Sequence, residues 1–467
     1  MSDQPLREAL EALRDQPDRL IEIILQQAAA IDVLQQRVAE LEARLRDVDD
    51  ENKRLRARVE TLEKTTARSA APFRIKDTKR LQTPRRPGRH PGHRGVARRQ
   101  PTRVDAEVEV PLTRCPHCAA PMTDVHPRVQ YIEEIPPMRP HVTRLTTYAG
   151  YCARCRRRGH STHPLQVSTA IGAAGVHLGP RALALAALLN KHHGLTMRKT
   201  CAVLAALCGL DLTPGGLAQA LARVATRLAA TYEALVQQIR AGPAVHGDET
   251  SWWVGGPGWW LWVFATPGTT VYRVAPGRGR NVVLDTLGAQ YPGVVISDCL
   301  AVYDGLSSPQ HKCYAHHLRA VAAVRAEHSS PYAEQWHQLL HAAMTLKQTG
   351  TAADRHGLPR RALETAADEY LAVPRRAPLE EALRQRLAKQ RDHLFTFLDH
   401  ANVPATNNLA ERQLRPAVIA RKLSCGNKTP DGARVWEILT SVAATCAQRG
   451  ESFLDLVIPR VQLAGAR

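Results

Sequence analysis

Apolar positions repeat every three or four residues near the start of the chain. Asn52 is the one seam position that is not apolar; the apolar positions are Ile31, Leu34, Val38, Leu41, Leu45, Val48, Leu55, Val59 and Leu62. This repeat predicts a left-handed coiled coil, and one seam Asn favours two strands in fixed register. The alternative is a long amphipathic helix that packs on its own chain. We expect residues 1–70 to be helical and residues 31–62 to form a homo-oligomer.

The pattern changes to a basic linker at residues 71–107. Residues 72–103 hold eleven Lys or Arg, one acid and five prolines. Pro and Gly at this density disfavour both helix and core, so we expect an extended segment. Its arginines, among them Arg85, Arg86, Arg89 and Arg94, are candidates to contact DNA phosphates. The alternative is a solvated charged linker.

Residues 108–166 contain two Cys-x2-Cys pairs, formed by Cys115, Cys118, Cys152 and Cys155. Four thiolates on two such turns can bind Zn²⁺ tetrahedrally, which predicts a zinc-binding ribbon. The segment 129–151 between the pairs is interpreted as two strands with a proline-rich turn. Four protein ligands would close the coordination shell, so this zinc would be structural.

Residues 167–241 are rich in Ala and Leu and predict helices. One helix is expected from Arg198 to Leu207, and a second should begin after Thr213 as its N-cap with Pro214 at its first position. This spacing is typical of a helix-turn-helix, a DNA-binding motif. An ordinary helical hairpin is the alternative.

From residue 242 the pattern becomes that of a sheet. Residues 243–253 predict a strand ending near Asp248, 259–276 a hairpin, 281–290 a helix, and 293–298 a buried strand ending at Asp298. Three strands, a helix and a fourth strand is the order of an RNase H-like sheet, in which the first and fourth strands are neighbours. Residues 242–330 should therefore form the first part of a catalytic domain with both Asp carboxylates side by side.

A third carboxylate would complete a two-metal site, in which ions roughly 4 Å apart bind the attacking and leaving oxygens of a phosphodiester. Glu411 is the best later candidate, on a predicted helix with Arg412, Arg415, Arg421 and Lys422. Residues 331–400 predict an all-helical insertion, 401–450 the last part of the catalytic domain, and 451–467 a tail. The fold class is multidomain α and α/β.

Composition and charge restrict the classes of function that the chain can have. Sixty-three Lys and Arg against 44 acids give a net charge of +19, which favours a polyanionic partner, nucleic acid first. No run reaches the ~18 apolar residues of a membrane span, and the first 20 residues lack the apolar core of a signal peptide. We expect a cytoplasmic protein that does not enter a membrane.

Four segments resemble a known family: residues 246–253 (HGDETSWW), 297–306, 311–321 and 407–427 (NNLAERQLRPAVIARKLSCGN). Together with the order of parts, they are similar to bacterial insertion-sequence DDE transposases, and more narrowly to the transposase of the insertion-sequence-sixty-six family. The resemblance implies a DDE triad of Asp248, Asp298 and Glu411, with two Mg²⁺ (or Mn²⁺) per site. It also implies double-stranded DNA as partner, both element ends and target, and small accessory transposition proteins.

Four further residues follow from the resemblance. The family's Cys-x2-His motif falls on Cys313 and His316, whose role stays open between shaping the site and binding metal. Glu249 follows the first Asp, but strand alternation should send it to the opposite face. Asn427 stands where the family usually has Ser, so the sequence departs from the family pattern in that loop.

The expected function is cleavage of insertion-sequence ends and strand transfer. The alternatives are a non-catalytic zinc-dependent DNA-binding regulator, a stand-alone nuclease, and a scaffold that assembles a larger machine. All three acids are present, which speaks against the regulator.

Overall fold

The computed structural model describes residues 16–67, 92–93, 95, 98–166, 175–327 and 329–462. The chain divides into two units, residues 1–96 and 97–467. The predicted DNA contacts Arg85, Arg86, Arg89 and Arg94 lie outside the described residues. No helix in the described ranges has an apolar stretch long enough to cross a membrane.

The first unit contains one long helix, α1 (Pro17–Ala67). The helix predicted for the heptad seam is therefore confirmed. From Ile31 to Leu55 the apolar seam side chains are exposed along it, and Asn52 donates from Nδ2 to the carbonyl of Val48 at 3.1 Å. A surface this apolar is a candidate for association, but pairing of two copies stays a prediction.

The second unit begins with the segment that carries the four clustered cysteines. It contains one short antiparallel pair, β1 (Ala149–Cys152) and β2 (Arg157–His160). The prediction of two strands within 129–151 is wrong, since residues 129–148 form no strand. Pro136, Pro137 and Pro140 remove backbone donors there, which weakens any strand ladder.

Helices α2 (Pro180–Ala187), α3 (Met197–Cys208) and α4 (Pro214–Ala241) follow, with a π-helical turn at Leu188–His192. The predicted cap at the start of α4 is confirmed, because the Thr213 hydroxyl accepts the N–H of Gly216 at 3.1 Å. α3 ends at Gly209, in the left-handed conformation that suits glycine. The buried faces of α2 and α4 share one hydrophobic core with the sheet.

A five-stranded sheet follows. Its strands are β3 (Ala244–Trp252), β4 (Trp259–Thr266), β5 (Thr269–Pro276), β6 (Val294–Ser297) and β7 (Gln310–Lys312), with α5 (Arg280–Leu287) between β5 and β6. Their order in the sheet is β5-β4-β3-β6-β7. β3 pairs antiparallel with β4 and parallel with β6, so the predicted neighbours are confirmed. β4 pairs antiparallel with β5, and β6 pairs parallel with β7.

A helix covers the edge strand β5. In α13 (Pro430–Arg449), side chains spaced four residues apart accept its free N–H groups. Ser441 accepts the N–H of Tyr272 at 2.9 Å and Thr445 that of Thr270 at 3.1 Å, and Glu437 accepts that of Val274. Satisfying these donors removes the exposed ladder that makes edge strands prone to aggregation.

Residues 331–400 are helical, as predicted, apart from short connections. They pack with the preceding helix α6 (Tyr314–Glu327) and the β3 and β6 side of the sheet around a second core that includes Trp336, Leu340 and Phe397. The helices are α7 (Pro331–Thr349), α8 (Ala352–His356), α9 (Leu358–Ala372), α10 (Pro378–Lys389) and α11 (Thr396–Asp399). α12 (Asn408–Ser424) returns to the sheet, and α13 and α14 (Phe453–Val461) complete the chain.

Candidate active site

The first predicted acid lies on β3, and the second directly follows the neighbouring parallel strand β6. In the pairing of β3 with β6, His246 stands opposite Ile296, and one acid follows each of them by two residues. The carboxylates of Asp248 and Asp298 are therefore at the same end of the paired region. β6 ends at Ser297, but β3 continues to Trp252 because it stays paired with β4. The prediction that the first strand ends near Asp248 is wrong.

Asp248 and Glu249 lie on opposite faces of the sheet. Val263, the cross-strand partner of Asp248, packs in the core that contains α12, whereas Trp262, the partner of Glu249, packs in the core on the other face. The Glu249 side chain is 1% exposed and pairs with Arg278 at 2.5 Å. Strand alternation thus separates the two acids, as predicted.

Glu411 reaches the site from α12, which packs over β3 and β4. The helix buries Ala410, Leu414 and Ala417 against the sheet. Glu411 is in the first turn of α12, and its charge is close enough to Asp248 to raise the pKa of that carboxyl. Its side chain is 33% exposed, and Oε1 lies 3.6 Å from a guanidinium nitrogen of Arg319.

The carboxylates repel one another. Burial, and then the nearby charges of Glu249, Asp298 and Glu411, raise the pKa of Asp248 to about 7. A bound divalent cation would relieve this repulsion, and three carboxylate oxygens are the donors that Mg²⁺ prefers. The residues therefore fit magnesium or manganese.

A second set of possible metal ligands lies next to Glu411. Cys313 Sγ, a His316 ring nitrogen and a Glu411 oxygen lie within 4.8 Å of one another. In the described part of the chain, no other group of three or more His, Cys, Asp or Glu side chains comes this close. The sulfur is fully buried and accepts the N–H of Asn407 at 3.1 Å. Arg319 stands within 3.4 Å of the His316 ring nitrogens. Protein groups already engage this set, which favours the site-shaping role of the Cys-x2-His motif.

A buried lysine lies near Asp298, and no sequence motif predicted it. Lys312 on β7 is 0% exposed, and its ammonium lies 3.4 Å from the Ser297 hydroxyl and 3.5 Å from Asp304. Asp304 also pairs with Lys389 of α10 at 2.9 Å. Nothing in the local sequence distinguishes this lysine from a surface residue.

The predicted DNA contacts on α12 differ in their surroundings. Arg412, Arg415 and Lys422 are exposed. Arg421 is half-buried, and its Nη1 donates to Thr250 Oγ1 at 3.0 Å and to Ser251 Oγ at 2.8 Å. The Arg421 guanidinium therefore ties α12 to β3.

The loop after α12 is fixed by the residue that departs from the family pattern. Asn427 accepts the indole N–H of Trp252 at 2.9 Å and donates from Nδ2 to the carbonyl of Gly432 at 3.0 Å. Its backbone bonds Trp253 and Gly255. Gly426 has φ +107°, and a Cβ there would lie 2.4 Å from the carbonyl oxygen of Trp253. Asn427 is a structural tie between the loop and the end of β3.

The two cysteine pairs form similar turns. The residue after each second cysteine, Ala119 or Arg156, has a positive φ, and hydrogen bonds within each turn lower the pKa of Cys115 and Cys152. No three of the four sulfurs lie within 4.8 Å of one another, although all four residues are described. The zinc site stays a prediction.

Comparison with known proteins identifies the family. Residues 175–435 match the family described as "Transposase IS66 family". This segment is more than half of the chain and includes Asp248, Asp298 and Glu411, so the chain belongs to the IS66 transposase family. The resemblance found in the sequence motifs is confirmed.

Two relatives from Sinorhizobium fredii are similar to the chain, and both are named as uncharacterized proteins. The protein y4qI is 24% identical over 286 residues, which cover 53% of this chain and 52% of the relative. The protein y4jO is 31% identical over 85 residues, which cover 18% of this chain and 26% of the relative. The chain spans about half the length of the first relative and about a quarter of the second.

Proposed function

We propose that the chain is a DDE transposase that binds the ends of a bacterial insertion sequence and catalyses DNA cleavage and strand transfer. The observation that carries this is the convergence of Asp248, Asp298 and Glu411 from β3, the end of β6 and the first turn of α12. The strand order supports an RNase H-like catalytic domain. Membership of the IS66 family supports DNA as the substrate.

The three carboxylates would hold two Mg²⁺ or Mn²⁺ ions. Ions so placed supply charge to the attacking and leaving oxygens of a phosphodiester. Asp248 stands on β3 and Asp298 directly follows β6, while Glu411 stands on a helix packed across the sheet, which fixes the geometry before DNA arrives. Cleavage at an element end would leave a 3′-OH, and the same site would then direct that 3′-OH to target DNA.

Exposed cations near the acids would hold the DNA backbone. Arg412 and Arg415 follow Glu411 on α12, and Lys422 lies at its far end. Phosphate contacts of this kind make binding strongly salt-dependent. Arg421 would contribute by holding α12 to β3, and the basic linker at 71–107 would add contacts along the duplex.

The other parts would assemble and align the complex. The exposed seam of α1 supports pairing of two protomers, so that two ends are cut together. The two cysteine turns support a structural Zn²⁺ site in the segment that recognises the ends. The helix pair α3–α4 supports a further DNA contact, and small accessory proteins would join this assembly.

A second candidate is a regulator that binds DNA without cutting it. The ion pair of Glu411 with Arg319 favours it, because this pairing engages one carboxylate of the triad. The presence of all three acids, and the electrostatic influence of Asp298 and Glu411 on Asp248, favour the enzyme.

The deciding experiment is metal-dependent cleavage of a labelled duplex that carries the element's terminal sequence. We expect the wild type and the control Asp285→Ala, an exposed acid on α5, to produce 3′-OH ends with Mg²⁺. Asp298→Ala and chelator should abolish the product. Equal cleavage by Asp298→Ala would mean that the acids are misassigned, and tight binding without cleavage by the wild type would support the regulator. A joining assay with target DNA separates a transposase from a stand-alone nuclease.

A further inference from the structure

The N-cap of α12 is a buried residue whose polar groups are all engaged. Asn407 is 1% exposed. Its Nδ2 donates to the carbonyl of Gly247 at 2.7 Å, its Oδ1 lies 3.0 Å from His246 Nδ1, and its N–H donates to the Cys313 sulfur at 3.1 Å. We propose that Asn407 is the positioning residue that sets the three acids of the proposed active site relative to one another.

The first link reaches Asp248. Gly247 and His246 immediately precede Asp248 on β3, and Asn407 bonds both of them. Because the Gly247 carbonyl only accepts, the amide nitrogen of Asn407 must face it, and Oδ1 faces His246. His246 therefore donates from Nδ1. The two hydrogen bonds fix β3 directly before Asp248.

The second link reaches Glu411. The N–H of Glu411 donates to the Asn407 carbonyl at 3.3 Å, which closes the first turn of α12. A residue four positions into a helix lies above its N-cap, so the anchor of Asn407 determines where the Glu411 carboxylate stands.

The third link reaches Asp298 through Cys313. The sulfur of Cys313 accepts from Asn407, and the backbone N–H of Cys313 donates to the Ser297 carbonyl at 2.9 Å. Ser297 directly precedes Asp298. Asn407 is thus linked to all three acids: through Gly247 to Asp248, through its own carbonyl to Glu411, and through Cys313 and Ser297 to Asp298.

The side chain required at this position is specific. Gly247 needs a donor and His246 an acceptor, and both must come from a short side chain that reaches β3 from the helix start. Aspartate offers no donor to Gly247, and alanine offers neither group. Asn408, the next residue, is exposed and provides a matched control.

The inference rests on the proposed function, and the test uses the full-length chain. Initial rates of DNA cleavage are measured against Mg²⁺ concentration for Asn407→Ala, Asn407→Asp, Asn408→Ala, Cys313→Ala and Cys313→Ser, with melting temperature and DNA affinity alongside. Loss of a residue that orients metal ligands typically costs about 10–100-fold in affinity or activity.

We expect Asn407→Ala and Asn407→Asp to lower the saturated rate about 10–100-fold and to raise the Mg²⁺ concentration at half-maximal rate, with DNA affinity within about twofold of the wild type since Asn407 is buried. Asn408→Ala should match the wild type. Cys313→Ser should recover most of the rate that Cys313→Ala loses, because a hydroxyl also accepts the Asn407 N–H. An Asn407→Ala variant with the rate and Mg²⁺ dependence of Asn408→Ala would overturn the proposal.

Amide hydrogen exchange keeps this test separate from the proposed function. If the wild type does not cleave DNA, the transposase proposal fails, but the positioning role still predicts faster exchange over 408–412 in Asn407→Ala than in Asn408→Ala. Equal exchange in the two variants would overturn the positioning role whatever the enzyme does.

Discussion

Tyr303 lies against the backbone of Gly247, so that a Cβ on Gly247 would come 2.9 Å from the Tyr303 hydroxyl oxygen and 3.2 Å from its Cε1. Tyr303 is fully buried. The strand that carries Asp248 therefore approaches this ring as closely as a glycine permits.

Gly247→Ala should destabilise the protein by about 1–3 kcal/mol, because the new methyl group overpacks a buried site. Tyr303→Phe in the same chain should recover part of this loss by removing the nearest atom. Urea unfolding of both variants, with Gly256→Ala as a control in open space, measures the difference. Equal stability of Gly247→Ala and the control would contradict the contact.

Asp248→Asn should stabilise the metal-free protein at pH 8 and not at pH 4. The pKa of Asp248 is raised to about 7 from its ordinary value of 3.8, so the folded state binds the proton more tightly than the unfolded state. The stability that this provides is complete below pH ~4 and is lost as pH rises through about 7. Asparagine is neutral throughout and avoids the loss.

Melting temperatures at pH 4 and 8, with and without Mg²⁺, check this expectation. Mg²⁺ should raise the melting temperature of the wild type at pH 8 more than that of Asp248→Asn, since the ion relieves carboxylate repulsion. A pH-independent difference between the two proteins would show that Asp248 ionises normally.

Asn427→Ala should loosen the loop after α12. The change leaves the Trp252 indole N–H and the Gly432 carbonyl without their partner, and each buried hydrogen bond of this kind is worth about 1 kcal/mol. We expect a loss of about 1–3 kcal/mol in urea unfolding, and Asn427→Ser should share it because a hydroxyl is too short. Lys428→Ala, at an exposed position, serves as control. An equal loss of unfolding free energy in that variant would refute the structural role of Asn427.

Leu41→Asp should dissociate the oligomer, because it places a charge in the seam of α1. Ala43→Asp, two residues on and outside the seam, should leave association intact. Light scattering coupled to gel filtration gives the mass of each protein. A wild type that is monomeric at micromolar concentration would refute pairing through residues 31–62.

Zinc content should be one ion per chain and should fall to zero in Cys152→Ser. Three remaining thiolates bind Zn²⁺ much more weakly than four, since the tetrahedral shell is incomplete. Elemental analysis after dialysis measures the ion, and Cys425→Ser, an exposed cysteine on the loop after α12, is the control. Retained zinc in Cys152→Ser would assign the ion elsewhere.

Local patterns predicted most elements of the fold. The caps and turns around α3 and α4, the hairpin β4–β5 and the strand before Asp298 depend on contacts within a few residues. The two wrong predictions, the end of β3 and the strands within 129–151, have identifiable physical causes. Glu249, Thr250 and Ser251 are polar enough for a loop, and only their pairing with β4 keeps them in β3. The apolar residues of 129–148 favour strands, but prolines interrupt their ladder.

Side-chain type and spacing are properties of the chain, so the sequence alone identifies the three acids, the cysteine pairs and the seam as candidates for function. Only the tertiary structure decided which residues surround the acids. Asn407 contacts Cys313 across 94 positions and Gly247 across 160, and Lys312 is buried against Ser297, the residue before Asp298. Such contacts arise when packed elements exclude water, and no local pattern encodes them.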